Sequence, residues 1–207
     1  MKNPLGDGYN EAFFIIDLDY TLVNVDTTNE FIKMVCPRRY HIFSKVLRLV
    51  VPLNKLFKRI DIHKNIVVYL CLTGKPKVLL KKYSRKLYSL LKRTHLNNSL
   101  IDELKEFKKK GYMLILLTAS LDIIAKNFKD LGFDVVIGSR TYYRDNKFHR
   151  LWDLYHKKHK IVEILKRYCK EIVVIEDDPE PEYYSIPGVQ VVKISFVDRN
   201  KNVKDQN

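Results

Sequence analysis

The sequence predicts an α/β fold: a doubly wound parallel sheet with an α-helical segment inserted after its first strand. Through the second half of the chain, short apolar runs alternate with helical patterns, which is typical of such a sheet. The runs are apolar throughout, as expected of parallel strands that are covered on both faces. Residues 22–96 interrupt this alternation with a helical pattern of their own. We therefore expect a core of residues 1–21 and 97–207, and a helical insert of residues 22–96.

The first strand carries the most informative motif. Four apolar residues, Phe13 to Ile16, predict a buried strand, and Asp17 and Asp19 follow at its carboxyl end. In an open α/β sheet, ligands bind at that edge. Two neighbouring carboxylates suit a divalent cation, with one free to attack phosphorus and the other to move a proton. The alternative for this motif alone is a surface strand end with two solvated carboxylates.

The later elements follow in a regular order. Helices are predicted where apolar residues recur at helical spacing, and two of them end at Gly111 and Gly132. The stretch from Thr141 to Lys158 is expected to be a packed aromatic connection with a structural role. The predicted helices are 100–110, 121–131 and 161–168, and the predicted strands are 113–117, 134–138, 172–175 and 189–194.

Polar residues follow three of these elements in a fixed order. Thr118 follows the second strand, Lys160 precedes a helix, and Asp177 and Asp178 come soon after the strand that ends at Ile175. Together with the first-strand motif, this ordered set resembles the haloacid dehalogenase superfamily, over residues 12–178. The resemblance implies a Rossmann-like core. The helical insert at this place resembles the cap of the branch that contains phosphoserine phosphatase.

The resemblance also implies roles for individual residues. Asp17 would be the nucleophile, and Asp19 would protonate the leaving group and then deprotonate water. Mg²⁺ would be held by the Asp17 carboxylate, the Asp19 backbone carbonyl and Asp177. Thr118 and Lys160 would hold the phosphoryl oxygens.

Several of these assignments have rivals nearby in the chain. Lys157 and Lys158 compete with Lys160, which we favour because of its position at the predicted helix start. Asp178 competes with Asp177 as the metal ligand, and Asp177 is favoured because it is nearer the strand end. Two further residues, Asp26 and Ser120, are candidates for contact with the substrate.

Within the superfamily that the chain resembles, an acid at position 19 favours rapid hydrolysis, which implies a phosphatase or a phosphomutase. The second and fourth motifs depart from those of phosphoserine phosphatases, so phosphoserine itself is in doubt. We expect a magnesium-dependent phosphatase that acts through an aspartyl-phosphate, with a small metabolite or a lipid headgroup phosphate as its substrate. The alternatives are a nucleic-acid-end phosphatase or nucleic-acid-binding protein that uses the basic insert, and a catalytically silent domain that serves as a partner platform.

The charge is distributed unevenly. The chain has a formal net charge of +14. Residues 22–96 contain 17 Lys and Arg against three Asp and Glu, so the whole excess lies in the insert. Such asymmetry favours anionic ligands or surfaces, although a solvated basic helix face is the alternative. Within the insert, residues 42–59 combine an apolar face with basic residues, which suits either an anionic membrane surface or packing on the core.

Composition excludes several classes of protein. An apolar content of 46% excludes a mostly disordered chain. The sequence has no run of 18 apolar residues and no apolar stretch of signal-peptide type near residue 1. Cys36, Cys71 and Cys169 are scattered, which argues against a disulfide framework or a structural zinc site. We therefore expect a cytoplasmic protein, and we consider association with a membrane surface as an alternative location.

Overall fold

The computed structural model describes residues 12–47 and 62–195. Within these ranges a six-stranded sheet is covered by helices, which confirms the predicted α/β fold. The strands are β1 (Ala12–Ile16), β2 (Met113–Leu121), β3 (Val135–Arg144), β4 (Lys147–Trp152), β5 (Glu171–Glu176) and β6 (Val189–Lys193). The helices are α1 (Thr27–Val35), α2 (Pro37–Leu47), α3 (Ile62–Leu72), α4 (Lys77–Thr94), α5 (Asn98–Lys109), α6 (Asp122–Ala125) and α7 (Lys158–Leu165). Short 3₁₀ helices span Lys126–Leu131, Lys166–Tyr168 and Pro181–Ser185.

The order of the strands in the sheet is β4-β3-β2-β1-β5-β6. All neighbouring pairs are parallel except β3 and β4. The chain builds the sheet outward from β1 in one direction through β2 and β3, and then in the other through β5 and β6. This reversal places the switch point of the sheet at the carboxyl end of β1, where a ligand crevice is expected.

The two faces of the sheet bury different clusters. Phe13 and Ile15 point to one face, where they pack with Leu154, Val162 and Tyr183. The alternate residue Ile16 points to the other face and packs with helices α1, α3, α4 and α5. This alternation is the period-two geometry of a strand, and it explains why β1 is apolar throughout.

The inserted helices share the second of these clusters with the sheet. Phe31, Val68 and Leu87, from α1, α3 and α4, are buried together with Leu116 and Ile124 of the core. The segment begins and ends side by side, because Asn24 N–H donates to the His95 carbonyl at 3.1 Å and Asn97 N–H donates to the Leu22 carbonyl at 2.9 Å. These contacts are compatible with a boundary near residues 22 and 96, and the division into core and cap stays a prediction.

The stretch 141–158 differs from its prediction. Strand β3 continues to Arg144, and β4 pairs with it in antiparallel register. Tyr143 and Phe148 pack edge to face inside this hairpin. The turn is made by Asp145 and Asn146, which both adopt positive φ values of 50° and 58°. Asp and Asn tolerate this conformation better than most residues. Tyr142, Tyr143, Phe148 and Trp152 therefore belong to an edge hairpin, and Tyr155 follows it.

No helix in the described part of the chain is long and apolar enough to cross a membrane. The predicted amphipathic stretch 42–59 falls largely on residues 48–61, which lie outside the described residues. Its proposed role at a membrane surface stays a prediction.

Candidate active site

A cavity of about 360 Å³ opens at the carboxyl ends of β1, β2 and β5. Predicted site residues from three separate parts of the chain line it. They are Asp17 and Asp19 after β1, Asp26 before α1, Thr118 in β2, and Asp177 and Asp178 after β5. The structure therefore brings together most of the candidate residues. Lys160 and Ser120 do not belong to this lining.

Asp17 is held from two sides. Its Oδ1 accepts the backbone N–H of Leu18 at 2.8 Å, and its Oδ2 lies 3.2 Å from the Nζ of Lys158. The side chain of Lys158 is buried and also contacts the carboxylate of Glu176. Lys158 thus occupies the place that the sequence analysis assigned to Lys160. Lys160 is exposed, so the position predicted for it at the site is wrong.

The reason for this difference is where helix α7 begins. The prediction placed its first turn after Lys160, but the helix starts at Lys158. The carboxylate of Glu180 accepts the N–H of Lys158 at 3.2 Å and that of His159 at 3.0 Å. It therefore caps the helix from 22 residues further along the chain. Residues two positions apart point to nearly opposite sides of a helix, so Lys160 faces solvent when Lys158 faces Asp17.

The charges around Lys158 are strongly coupled. Burial opposes its charge, but the carboxylates of Asp17 and Glu176 outweigh that effect and raise the pKa of its ammonium group. Burial also raises the pKa of Glu176 to about 8, although Lys158 lies beside it. Lys158 therefore stays charged at neutral pH and provides a fixed positive charge next to Asp17.

The remaining carboxylates crowd the cavity. Burial, with Asp26 and Asp17 nearby, raises the pKa of Asp19 well above its ordinary value. Burial and the charge of Asp17 raise the pKa of Asp177 as well. The two lysines of the described lining, Lys64 and Lys158, already contact carboxylates of their own. The cavity thus has more carboxylates than cationic side chains in its lining, and most of the atoms that could coordinate a metal are carboxylate oxygens.

Such a set of donors fits a hard divalent cation. Mg²⁺ prefers oxygen ligands, and one or two carboxylates are enough to hold it beside a phosphate. Asp177 is also fixed to the first-strand loop, since its N–H donates to the Thr21 hydroxyl at 3.0 Å. The residues present at this end of the sheet are therefore suited to the predicted metal.

The hydroxyl groups near β2 divide into two kinds. Thr118 lines the cavity, and its Oγ1 accepts the N–H of Ser120 at 3.0 Å, which leaves the hydroxyl proton to donate elsewhere. Ser120 lies behind the cavity, buried, with its hydroxyl bonded to those of Thr27 at 2.5 Å and Thr28 at 3.1 Å. The structure thus offers Thr118 to a ligand, whereas Ser120 joins the end of β2 to α1.

Asp26 and Asp19 both bond to the start of α1. Asp26 is the N-cap of this helix, and its two oxygens accept the backbone N–H of Asn29 at 2.8 Å and the side-chain amide of Asn29 at 2.9 Å. Asp19 Oδ1 accepts the N–H of Thr27 at 3.0 Å. A carboxylate is stabilised at a helix N-terminus by the exposed N–H groups and the helix dipole. The insert therefore positions the carboxylate of Asp19 over the cavity.

Sequence reasoning missed two lining residues of the insert, Thr28 and Lys64. Lys64 of α3 reaches the cavity wall, where its Nζ donates to the Ala119 carbonyl at 2.9 Å and to Asp153 at 2.6 Å. Burial opposes the charge of Asp153, but Lys64 and Asn65 outweigh it and lower the pKa of its carboxyl group. Lys64 is one lysine among many in a basic insert, so no local signal distinguishes it.

The family comparison agrees with this geometry. The family model described as haloacid dehalogenase-like hydrolase matches residues 14–172. This match confirms the predicted superfamily and shows that the chain belongs to a family of hydrolases. The curated proteins contain no significant match to the chain.

Solved structures share the fold at low sequence identity. A phosphoserine phosphohydrolase-like protein from Francisella tularensis superposes with a TM-score of 0.62 at 18% identity, over 84% of this chain and 81% of that one. A substrate-bound phosphoserine phosphatase superposes with a TM-score of 0.59 at 19% identity, over 81% and 78% of the two chains. A HAD family hydrolase from Salmonella enterica superposes with a TM-score of 0.60 at 16% identity. The match covers 84% of this chain and 59% of that one.

Proposed function

The chain belongs to the haloacid dehalogenase-like hydrolases, and on that premise we propose that it is a magnesium-dependent phosphatase of small phosphomonoesters. The observation that carries this proposal is the position of Asp17, whose carboxylate lies 3.2 Å from the buried Lys158 at the cavity wall. Thr118 and Asp177 line the same cavity. A carboxylate nucleophile, a fixed cation and a hydroxyl donor around one small cavity suit phosphoryl transfer.

The first half of the reaction transfers the phosphoryl group to the enzyme. A carboxylate oxygen of Asp17 attacks phosphorus, and the bond from phosphorus to the leaving oxygen breaks. Asp19 gives its proton to that oxygen, so an alcohol departs and an aspartyl-phosphate remains. The hydrogen bond from Thr27 N–H fixes the Asp19 carboxylate for this task.

The second half releases inorganic phosphate. Asp19 takes a proton from water, the water oxygen attacks phosphorus, and the bond to the Asp17 carboxylate breaks. Lys158 and Thr118 bind the phosphoryl oxygens in both halves, and they offset charge that develops during transfer. Asp17, the Asp19 backbone carbonyl and Asp177 would hold Mg²⁺. When bound, it supplies further positive charge at the phosphoryl oxygens.

The size of the cavity supports a small substrate. About 360 Å³ lies near the lower end of the range for small-molecule sites, so a metabolite phosphate or the headgroup phosphate of a lipid fits better than a larger molecule. Both oxygens of Asp26 accept hydrogen bonds from Asn29 of α1. To bind a substrate amine, this carboxylate would have to accept a further hydrogen bond in addition to these two.

Replacement of Asp17 by Asn tests the nucleophile. The amide cannot form an acyl-phosphate, so p-nitrophenyl phosphate hydrolysis with Mg²⁺ should fall by about a thousandfold or more. Asp102→Asn is the matched control, because Asp102 is exposed on α5 and pairs with Lys105 there. It should leave turnover unchanged. Wild-type turnover in purified Asp17→Asn protein would contradict the mechanism.

Neighbouring acids test the metal assignment. Asp177→Asn should raise the Mg²⁺ concentration needed for half-maximal activity by about tenfold or more, because a neutral amide is a weaker ligand for a hard cation. Asp178→Asn should change it by less than about twofold. The reverse order of effects in a Mg²⁺ titration would assign the metal to Asp178.

A further inference from the structure

A second cavity, of about 400 Å³, lies between helix α4 and the segment that joins β2 to β3. Its lining shares no residue with that of the active-site cavity. One wall is formed by α4, and the other by α6, the following 3₁₀ turn and β3. Gly138 allows β3 to approach this segment closely, because a Cβ there would lie 2.9 Å from the Ser120 carbonyl oxygen and 3.0 Å from Asp122 Cα.

This cavity is lined by cations from both walls. We call it the basic cleft, and its cations are Lys77, Lys81, Arg85, Lys126 and Arg140. Asp122 is the one acid among the described residues of the lining. Its carboxylate is already engaged, since Oδ2 lies 2.6 Å from the Nζ of Lys126, and Oδ1 accepts the N–H and the hydroxyl of Thr141 at 3.0 and 2.6 Å.

The three cations of α4 are arranged as a row. Lys77, Lys81 and Arg85 are spaced by four residues, so they follow one another along one face of the helix. Like charges at this spacing destabilise a helix. Within the described part of the chain, none of the three forms an ion pair, whereas Lys92 of the same helix pairs with Asp130 at 2.9 Å. The row therefore lacks the acidic partner that the end of the helix has.

The lining of the cleft is polar as well as charged. Ser84 and Thr141 are buried there, with their hydroxyls donating to the Lys81 carbonyl at 2.9 Å and to Asp122 at 2.6 Å, and the ring of Tyr143 lies 4.9 Å from the Nζ of Lys77. The volume of about 400 Å³ is within the range of small-molecule sites. Lys and Arg side chains that converge on such a space suit phosphate oxygens, which both residues bind well.

We propose that the basic cleft binds a compact polyphosphate anion, such as a short phosphoanhydride chain, at a site separate from the active site. The row of three cations on α4 would bind successive phosphate groups. Arg140, whose guanidinium carbon lies 5.1 Å from the centroid of the Tyr142 ring, would turn to the anion from the β3 side, and Lys126 would contribute while it remains paired with Asp122. A single phosphate would leave part of the row unneutralised, so the proposal is specific for a chain of at least two phosphates.

Titration with inorganic tripolyphosphate tests the proposal. Calorimetry at physiological ionic strength should show saturable binding to the wild-type protein. The double variant Lys81→Gln/Arg85→Gln should lower the affinity by about tenfold or more, since it removes two charged contacts. It should leave the KM and kcat for p-nitrophenyl phosphate unchanged, which separates the cleft from the active site.

A matched double variant on the same helix is the control. Lys82→Gln/Lys86→Gln removes the same charge from exposed positions that do not line the cleft. It should change the affinity by less than about twofold. Equal losses in the two double variants, or absence of saturable binding by the wild type, would overturn the proposal. So would tighter binding of a single-stranded oligonucleotide that is lost in Lys81→Gln/Arg85→Gln, because that would assign the cleft to nucleic acid.

Discussion

Two nearly buried lysines reach the active-site cavity from different parts of the chain. Lys158 begins α7 of the core, and Lys64 lies in α3 of the insert. Lys158 contacts the cavity-lining Asp17, whereas Lys64 contacts Asp153 and the Ala119 carbonyl beside β2. The same type of side chain, a lysine, therefore has two different roles at this cavity. The partners of each lysine decide whether its charge lies beside Asp17 or joins the inserted segment to the sheet.

Of these two lysines, Lys158 is expected to have the larger effect on activity. Lys158→Met removes the fixed cation beside Asp17 and should lower phosphatase kcat by a factor of about a hundred to a thousand. Lys160→Met, two residues further on, is the matched control and should change kcat by less than about twofold, because Lys160 is exposed. Steady-state assays on the two proteins would sharpen the comparison. A larger loss in Lys160→Met would return the phosphate contact to the position predicted from sequence.

Lys64 is expected to act mainly on stability. Lys64→Met leaves Asp153, which is 8% exposed, without its ammonium partner and should destabilise the fold by about 3 kcal/mol. Asp153→Asn should recover part of this loss, because it removes the unpaired charge while it keeps the hydrogen-bonding shape. Urea unfolding of both single variants and the double variant measures the coupling.

The exposed pair Lys105 and Asp102 is the control for the double-mutant cycle of Lys64 and Asp153. It should give the smallest coupling free energy. Its side chains are 62% and 72% exposed, so the coupling should be below about 0.5 kcal/mol. Coupling as small between Lys64 and Asp153 would break the comparison, because Lys64 would then not join the insert to the core. A loss of kcat in Lys64→Met as large as that in Lys158→Met would also contradict the comparison, because Lys64 would then act on activity as Lys158 does.

Much of the site was predictable because it depends on local sequence. Asp17 and Asp177 follow apolar runs that had to be strands, and Thr118 follows the run at 113–117. The carboxyl ends of parallel strands lie at one edge of a sheet. The prediction therefore placed these three residues at one cavity without any knowledge of long-range contacts.

Other residues were not predictable, because their positions depend on long-range contacts. The place of Lys158 depends on Glu180, which caps α7 from a distant part of the chain, and the sequence near Lys158 has no capping signal of its own. Ser120 was a plausible contact for substrate, but it bonds to Thr27 and Thr28 of the insert instead. In the sequence, Lys64 is one of many basic residues of the insert, and only the ion pair with Asp153 distinguishes it.

The sequence by itself determined the α/β fold, the order of most elements, the family and the acids at the ends of the strands. Hydrophobic period and strand termini are local properties, so they can be read without a structure. Only the tertiary structure decided which lysine faces Asp17, that the Ser120 hydroxyl bonds to α1, and that three cations of α4 line the same cleft as Lys126 and Arg140. Each of these features depends on a contact between residues that are far apart in the chain. The local hydrophobic pattern of a sequence does not specify such long-range contacts.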